Sequence, residues 1–175
     1  VAAKLVELFD IRPWFAPVTP GLAGVKNGYI DEKRLGVDRW LAMVAAWKRF
    51  KRALVVIDAG TAITLDIVNT DGYHLGGVIA PGWHTMVDAL VSSTVGIGVS
   101  GEPNTNFGFG RNTEAAVSTG LRLAQIGLVR EAIRAASEEL GAEEQLLTIF
   151  CGGGGKFLKD SANISGSLLL PDLVF

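Results

Sequence analysis

Residues Val55 to Gly82 read V-V-I-D-A-G-T-A-I-T-L-D-I-V-N-T-D-G-Y-H-L-G-G-V-I-A-P-G. With Leu54 in front, the stretch holds three short apolar runs, Leu54–Ile57, Ile63–Val68 and Leu75–Ile79. Gly60, Asp71-Gly72 and Pro81-Gly82 punctuate them. Runs this short, rich in Val, Ile and Leu and bounded by turn residues, predict three consecutive strands joined by tight turns. The first turn is unusual, with Asp58 closing the strand, Gly60 in the bend and Thr61 after it. A backbone that bends at glycine can bring its N–H groups up to an anion, with the Thr61 hydroxyl as a further donor. The neighbouring carboxylate can hold a cation that screens the anion. The turn therefore reads as a phosphate site.

Around this centre the chain alternates helix and strand. Gly36–Lys51 predicts a helix, with Val37, Leu41, Val44 and Trp47 on one face. Asp38 lies in its first turn, where it is either an ordinary helix-start carboxylate or a general base aimed out of the helix end. Lys48, Arg49, Lys51 and Arg52 at the far end read as a solvated helix terminus. Tyr29 follows the Asn27-Gly28 turn signal and either packs beside it or offers its hydroxyl to a ligand. Paired glycines inside a strand, as at Gly76-Gly77, mark a close backbone or ligand approach. A helix is expected over about Trp83–Val91, and a long Gly-rich surface loop over Ser92–Asn112. Thr113–Leu140 should be the longest helix, with Val117, Leu121, Ala124, Leu128, Ala132, Ala136 and Leu140 as its apolar stripe. Small residues Gly120, Ala124 and Gly127 would let another backbone approach, either the sheet or a partner's helix. A strand over Gln145–Phe150 leads through Cys151 and four glycines into Lys156, an arrangement that can seat a nucleotide. The tail Leu168–Phe175 reads as a strand.

Composition narrows the function. The 175 residues are 49% hydrophobic, enough for a buried core, and carry a net charge of −2. That balance argues against a nucleic-acid partner, which needs a clustered basic face. No apolar run reaches the ~20 residues of a membrane span. One cysteine excludes an internal disulfide framework and fits a reducing, cytoplasmic compartment. Cys151 reads as a small buried residue, and His74 and His84 as structural or surface residues, too isolated for a metal site.

Five segments in order resemble the type III pantothenate kinases of the actin-like ATPase and sugar kinase superfamily. They are Leu35-Gly36-Val37-Asp38-Arg39, Asp58-Ala59-Gly60-Thr61-Ala62-Ile63-Thr64, Gly76-Gly77-Val78-Ile79-Ala80-Pro81-Gly82, Gly110-Arg111-Asn112-Thr113 and Pro171-Asp172-Leu173-Val174. The resemblance implies an α/β fold, an RNase H-like domain with a mixed sheet flanked by helices. It implies ATP-dependent phosphorylation of pantothenate to 4'-phosphopantothenate, the first step of coenzyme A biosynthesis, by a cytoplasmic homodimer. Asp38 matches the family's proton acceptor. Tyr29, Gly36, Val37, Asp38, Arg39 and Thr113 match substrate contacts. Gly60, Thr61, Gly152 and Gly153 match the nucleotide site, with Mg²⁺ arriving on the ATP. Asp58 matches the carboxylate that holds K⁺ or NH₄⁺.

The family's opening phosphate loop, D-x-G-N followed by Ser or Thr, has no counterpart before Leu35. On that ground the chain is expected to be a fragment of a two-domain kinase with most of the N-terminal domain absent. Residues 1–50 would be that domain's remnant and the inter-domain helix, and residues 51–175 the C-terminal RNase H-like domain. Two alternatives stay open, another small-molecule kinase of the superfamily and a non-catalytic nucleotide-binding regulator.

Overall fold

The computed structural model describes residues 2–12, 14–94, 108–141 and 145–173. Helix α1 (Ala2–Phe9) leads to a small hairpin of β1 (Gly21–Leu22) and β2 (Val25–Lys26). After it, Asn27 Oδ1 accepts from the Tyr29 amide at 3.0 Å, so the expected turn is closed by the asparagine side chain. A single 3₁₀ turn (Glu32–Arg34) then leads into α2 (Val37–Phe50).

Strands β3 (Leu54–Ala59), β4 (Ala62–Val68) and β5 (His74–Pro81) form an antiparallel meander. Helices α3 (Trp83–Ser93) and α4 (Thr113–Leu140) follow, then β6 (Leu147–Cys151), α5 (Gly155–Ala162) and the two-residue β7 (Leu168–Leu169). Strand β6 pairs parallel to β3, and β7 parallel to β6, giving the order β5-β4-β3-β6-β7. The fold is thus α/β, with a mixed sheet flanked by helices.

Side chains alternate across a strand, and that splits the core in two. Leu54 and Val56 face α2 and pack with Trp40, Met43 and Trp47. Val55 and Ile57 face the other way and pack with Val129 of α4 and Leu158 and Ala162 of α5. Central β3 is buried on both sides, which explains its unbroken run of aliphatic residues.

Three expectations need correcting. The buried face of α2 is centred on Trp40, Met43 and Trp47, and Val37 is 41% exposed. Trp40, Met43 and Trp47 are the α2 residues that pack with Leu54 and Val56 of β3. In α4 the buried line is Leu121, Gln125, Val129 and Ala136, while Ala124 is exposed. From Leu121 the buried line advances in four-residue steps through Gln125 and Val129, whereas the three-residue step to Ala124 turns about 100° away from Gln125 and out of the core. The tail strand stops at Leu169. Leu170 still donates to the Phe150 carbonyl at 2.8 Å, but Pro171 has no N–H to extend the ladder. The expected loop after α3 lies mostly outside the described residues, as does Val174.

Candidate functional site

Asp58 continues the Leu54, Val56 alternation and so points to the α2 face, near the carboxyl end of β3. It pairs in register with Thr64 on β4 and Cys151 on β6. Its carboxyl is held above the usual range, first by burial and then by the charge of Asp38. The start of α2 therefore delivers the Asp38 carboxylate into the neighbourhood of Asp58. Asp38 itself is exposed. Its Oδ1 accepts from the Arg39 amide at 2.8 Å, and Oδ2 makes no hydrogen bond to a described residue. Gly36 caps the helix without a side chain, and Val37 opens its first turn.

Gly152 closes the other side of Asp58. It sits at φ +75°, and a Cβ there would collide with Asp58 Oδ1, so only glycine allows the carboxylate this approach. Cys151 beside it is buried, with its Sγ 3.5 Å from the Ile57 carbonyl oxygen. Burial, then the Asp58 charge, pushes its thiol up to about 12, which suits a packed residue and not a nucleophile.

One residue after Asp38, Arg39 turns inward. Its Nε and Nη2 donate to the two Asp66 oxygens at 2.8 and 2.6 Å, and Nη1 donates to the Tyr29 hydroxyl at 2.7 Å. Asp66 lies opposite Val56 on the α2 face of β4. It is 2% exposed, and Arg39 7%. Burial by itself would weaken the guanidinium's hold on its proton, but the Asp66 hydrogen bonds and charge outweigh it and leave the pKa raised. His74, fully buried, places Nε2 3.0 Å from Asp66 Oδ1 and stacks on Tyr29 with ring centroids 5.7 Å apart. Gly77 makes room for the cluster, since a Cβ there would lie 2.6 Å from Asp66 Oδ1 and 2.9 Å from Arg39 Nη2. The close backbone approach expected at the paired glycines occurs at Gly77, where a Cβ would lie 2.1 Å from the Leu65 carbonyl oxygen, with the ion pair beside it.

The Gly60–Thr61 turn is pinned from α3. The Thr61 carbonyl accepts from the Gly82 amide at 2.9 Å and from the Thr85 hydroxyl at 2.7 Å. Gly154 donates to the Ala59 carbonyl at 2.8 Å, which draws the glycine run after β6 against the same strand end. Between these loops, on the face opposite Asp58, opens a cavity of about 420 Å³. Ile63, Trp83, Phe157 and Gln125 line it, with Gly60 and Gly153 at its rim. Of the residues singled out from sequence, Asp38, Asp58 and Gly152 converge on the α2 face of the strand ends. Gly60 and Gly153 meet at the cavity, with Thr61 next to Gly60. Tyr29 and Arg39 join the buried cluster. Thr113 stands apart, exposed in the first turn of α4, which packs on α3, α5 and β4.

Sequence reading missed Asp66 and Gln125, yet each left a signal. Asp66 falls on the inward alternation of β4, where a carboxylate demands a cation. Gln125 falls between Leu121 and Val129 at four-residue spacing, on the buried line of its helix.

The family profile for type III pantothenate kinase matches residues 1–135. A type III pantothenate kinase from Pseudomonas aeruginosa (strain LESB58) is 40% identical over 179 aligned residues, covering 100% of this chain and 71% of that protein. One from Albidiferax ferrireducens is 36% identical, covering 97% of this chain and 67% of the relative. Among solved structures, a conserved protein described as a Baf family transcriptional activator from Campylobacter jejuni superposes with a TM-score of 0.56 at 26% identity. That match covers 84% of this chain and 62% of the other. Family profile and relatives agree across most of the chain, so it belongs to the type III pantothenate kinases, enzymes that phosphorylate pantothenate for coenzyme A synthesis.

Proposed function

We propose that the carboxyl ends of β3 and β6 form the floor on which this chain transfers the γ-phosphoryl group of ATP to the primary hydroxyl of pantothenate. The observation that carries the reading is the convergence of Asp38 and Asp58 beside the Gly60–Thr61 turn, with a cavity on the opposite face of the same strand ends. Ligands of open α/β sheets sit beyond the carboxyl ends of the strands. The nucleotide's base would enter the cavity, and its phosphates would pass over Gly60, Thr61, Gly152 and Gly153. Pantothenate would approach from the α2 side, past Tyr29 and the Gly36–Arg39 segment.

In this arrangement Asp38 accepts the hydroxyl proton as the pantothenate oxygen attacks the γ-phosphorus. A new P–O bond forms, the bond to the β–γ bridging oxygen breaks, and ADP leaves. Such transfers depend on positioning and charge more than on covalent chemistry, so Thr61 and the remaining loop amides would supply donors to the phosphate oxygens, the Gly60 amide being engaged by the Ala62 carbonyl at 2.9 Å. Asp58 fits a monovalent cation. It is half-buried beside a second carboxylate, and the ion pairs among the described residues put no positive side chain on it. K⁺ or NH₄⁺ held there, with Mg²⁺ on the nucleotide, would supply the positive charge that the phosphates require.

The same reading takes residues 1–50 as N-terminal-domain residues and the inter-domain helix, and 51–175 as the RNase H-like C-terminal domain. It makes the enzyme a cytoplasmic homodimer, with Thr113 reaching substrate near the dimer interface. Exposed Gly120, Ala124 and Gly127 on α4 support a close helix contact, and sedimentation as a stable monomer would count against it. The central test is Asp38→Asn in an ADP-release assay with ATP and pantothenate. Turnover should fall by at least ~100-fold while ATP still binds. Near wild-type turnover would sink the role of Asp38, and no turnover on pantothenate beside turnover on another alcohol would sink the substrate.

A further inference from the structure

The cavity between α3, α4 and α5 is lined by apolar and aromatic side chains and by glycine backbone, but for Gln125 and the exposed His84 at its edge. Gln125 is 3% exposed and lines the cavity from α4. Its carboxamide is not one of the sealed, unpartnered polar atoms among the described residues; its polar end opens on the cavity that Gln125 lines, where a bound group can pair with it. That space of about 420 Å³ is within the range of small-molecule sites.

Trp83 and Phe157 meet edge to face on the same wall, with ring centroids 6.2 Å apart, and offer a flat aromatic ligand a surface. A carboxamide presents a donor and an acceptor side by side. That pattern matches a heteroaromatic edge carrying an exocyclic amine next to a ring nitrogen, the pairing that glutamine makes with N6 and N7 of adenine. Guanine offers two adjacent acceptors, O6 and N7, at the same edge, so the carboxamide oxygen would face an oxygen.

We propose that Gln125 is the base-reading residue of the nucleotide site, pairing with the 6-amino edge of a purine held against Trp83 and Phe157. This rests on the reading of the chain as an ATP-dependent kinase and adds to it a specificity-determining contact. It also gives the cavity-facing amide a partner.

The test compares ATP with purine riboside triphosphate, which differs only by lacking the 6-amino group. Calorimetric binding and KM are both measured, on the wild type and on Gln125→Met. Wild type should prefer ATP by about tenfold, the worth of one good hydrogen bond pair. Gln125→Met should bring the two within ~2-fold by weakening ATP alone. Equal affinity for the two in wild type overturns the proposal, as does a preference that survives in Gln125→Met. If that variant fails to fold, the ligand comparison on wild type decides, with Gln125→Glu as the second variant. A wild-type protein that shows the preference but does not phosphorylate pantothenate sinks the kinase reading and leaves this one standing. Phosphorylation supported equally by both triphosphates does the reverse.

Discussion

Asp66→Ala tests whether the buried cluster beneath α2 is a brace. The substitution leaves the Arg39 guanidinium without the acceptor that takes two of its three hydrogen bonds, in a place where it is 7% exposed. It also strips His74 of the partner of its Nε2. Breaking a buried pair by removing one partner costs about 3–5 kcal/mol, because the survivor remains charged and dry. Domains of this size are stable by ~5–15 kcal/mol in all. Each kcal/mol moves the melting point by ~2–4 °C at this length, so Asp66→Ala should lower Tm by ~6–20 °C. The assay is thermal melting followed by circular dichroism, with urea unfolding as a check. The control is Arg39→Met with Asp66→Leu, which removes both charges and should recover most of the loss. A single variant that melts within ~2 °C of wild type would refute the reasoning. So would a double variant no more stable than Asp66→Ala. Because Arg39 follows Asp38 in the first turn of α2, turnover at a permissive temperature should fall too, and the double variant should not restore it fully.

Asp58→Asn should raise Tm at neutral pH. The folded protein holds this carboxyl above its ordinary value. Its ionisation therefore opposes folding, and stability is lost as pH rises through the folded-state pKa. The gain should shrink as pH falls and Asp58 takes up its proton in the wild type, and a variant that melts lower at pH 7.5 would contradict it. Cys151, with its thiol pushed up to about 12 by burial and the Asp58 charge, should react with a thiol reagent at pH 8 at least ~10³-fold more slowly in the native protein than in denaturant. Labelling at comparable rates in the two states would show the thiol to be accessible and ionisable.

Most of the framework was legible because it is written in local patterns. The meander follows from three aliphatic runs and their turn residues, and Thr113–Leu140 from its long apolar repeat, its start held by Asn112, whose side chain accepts from the Ala115 amide at 2.8 Å. Local patterns do not say which face of a helix is buried when two candidate faces are both apolar. Hence the sequence pattern places Val37, and not Trp40, on the core face of α2. The candidate site was legible where chemistry and glycine stand next to each other, at Asp58-Ala59-Gly60-Thr61 and at Cys151-Gly152. It was illegible where it depends on pairing between distant segments. Nothing near Asp66 in sequence announces Arg39, 27 positions away. The contact exists because β4 lies antiparallel to β3 and places Asp66 opposite Val56, under α2. Gln125 was lost in the same way, since its importance comes from Trp83 and Phe157, which reach the cavity from α3 and α5.

Asp38 and Arg39 show how one turn of helix serves two ends. Successive residues on a helix point about 100° apart, so the acid faces the strand ends while the base goes under the helix. Arg39 already satisfies Asp66 and Tyr29. It is therefore not free to neutralise Asp58, whose nearest identified charge is another acid. An arginine released toward the strand ends would quiet the two carboxylates and remove their need for outside cations. Pinned inward, it leaves them under-compensated, and a site in that condition favours ligands that bring positive charge with them. The monovalent cation proposed for Asp58 is such a ligand. The brace and the cleft thus depend on one another. The ion pair that fixes the first turn of α2 also keeps the only arginine of that turn away from Asp38 and Asp58, and the charge balance of those two carboxylates follows from where that one guanidinium is held.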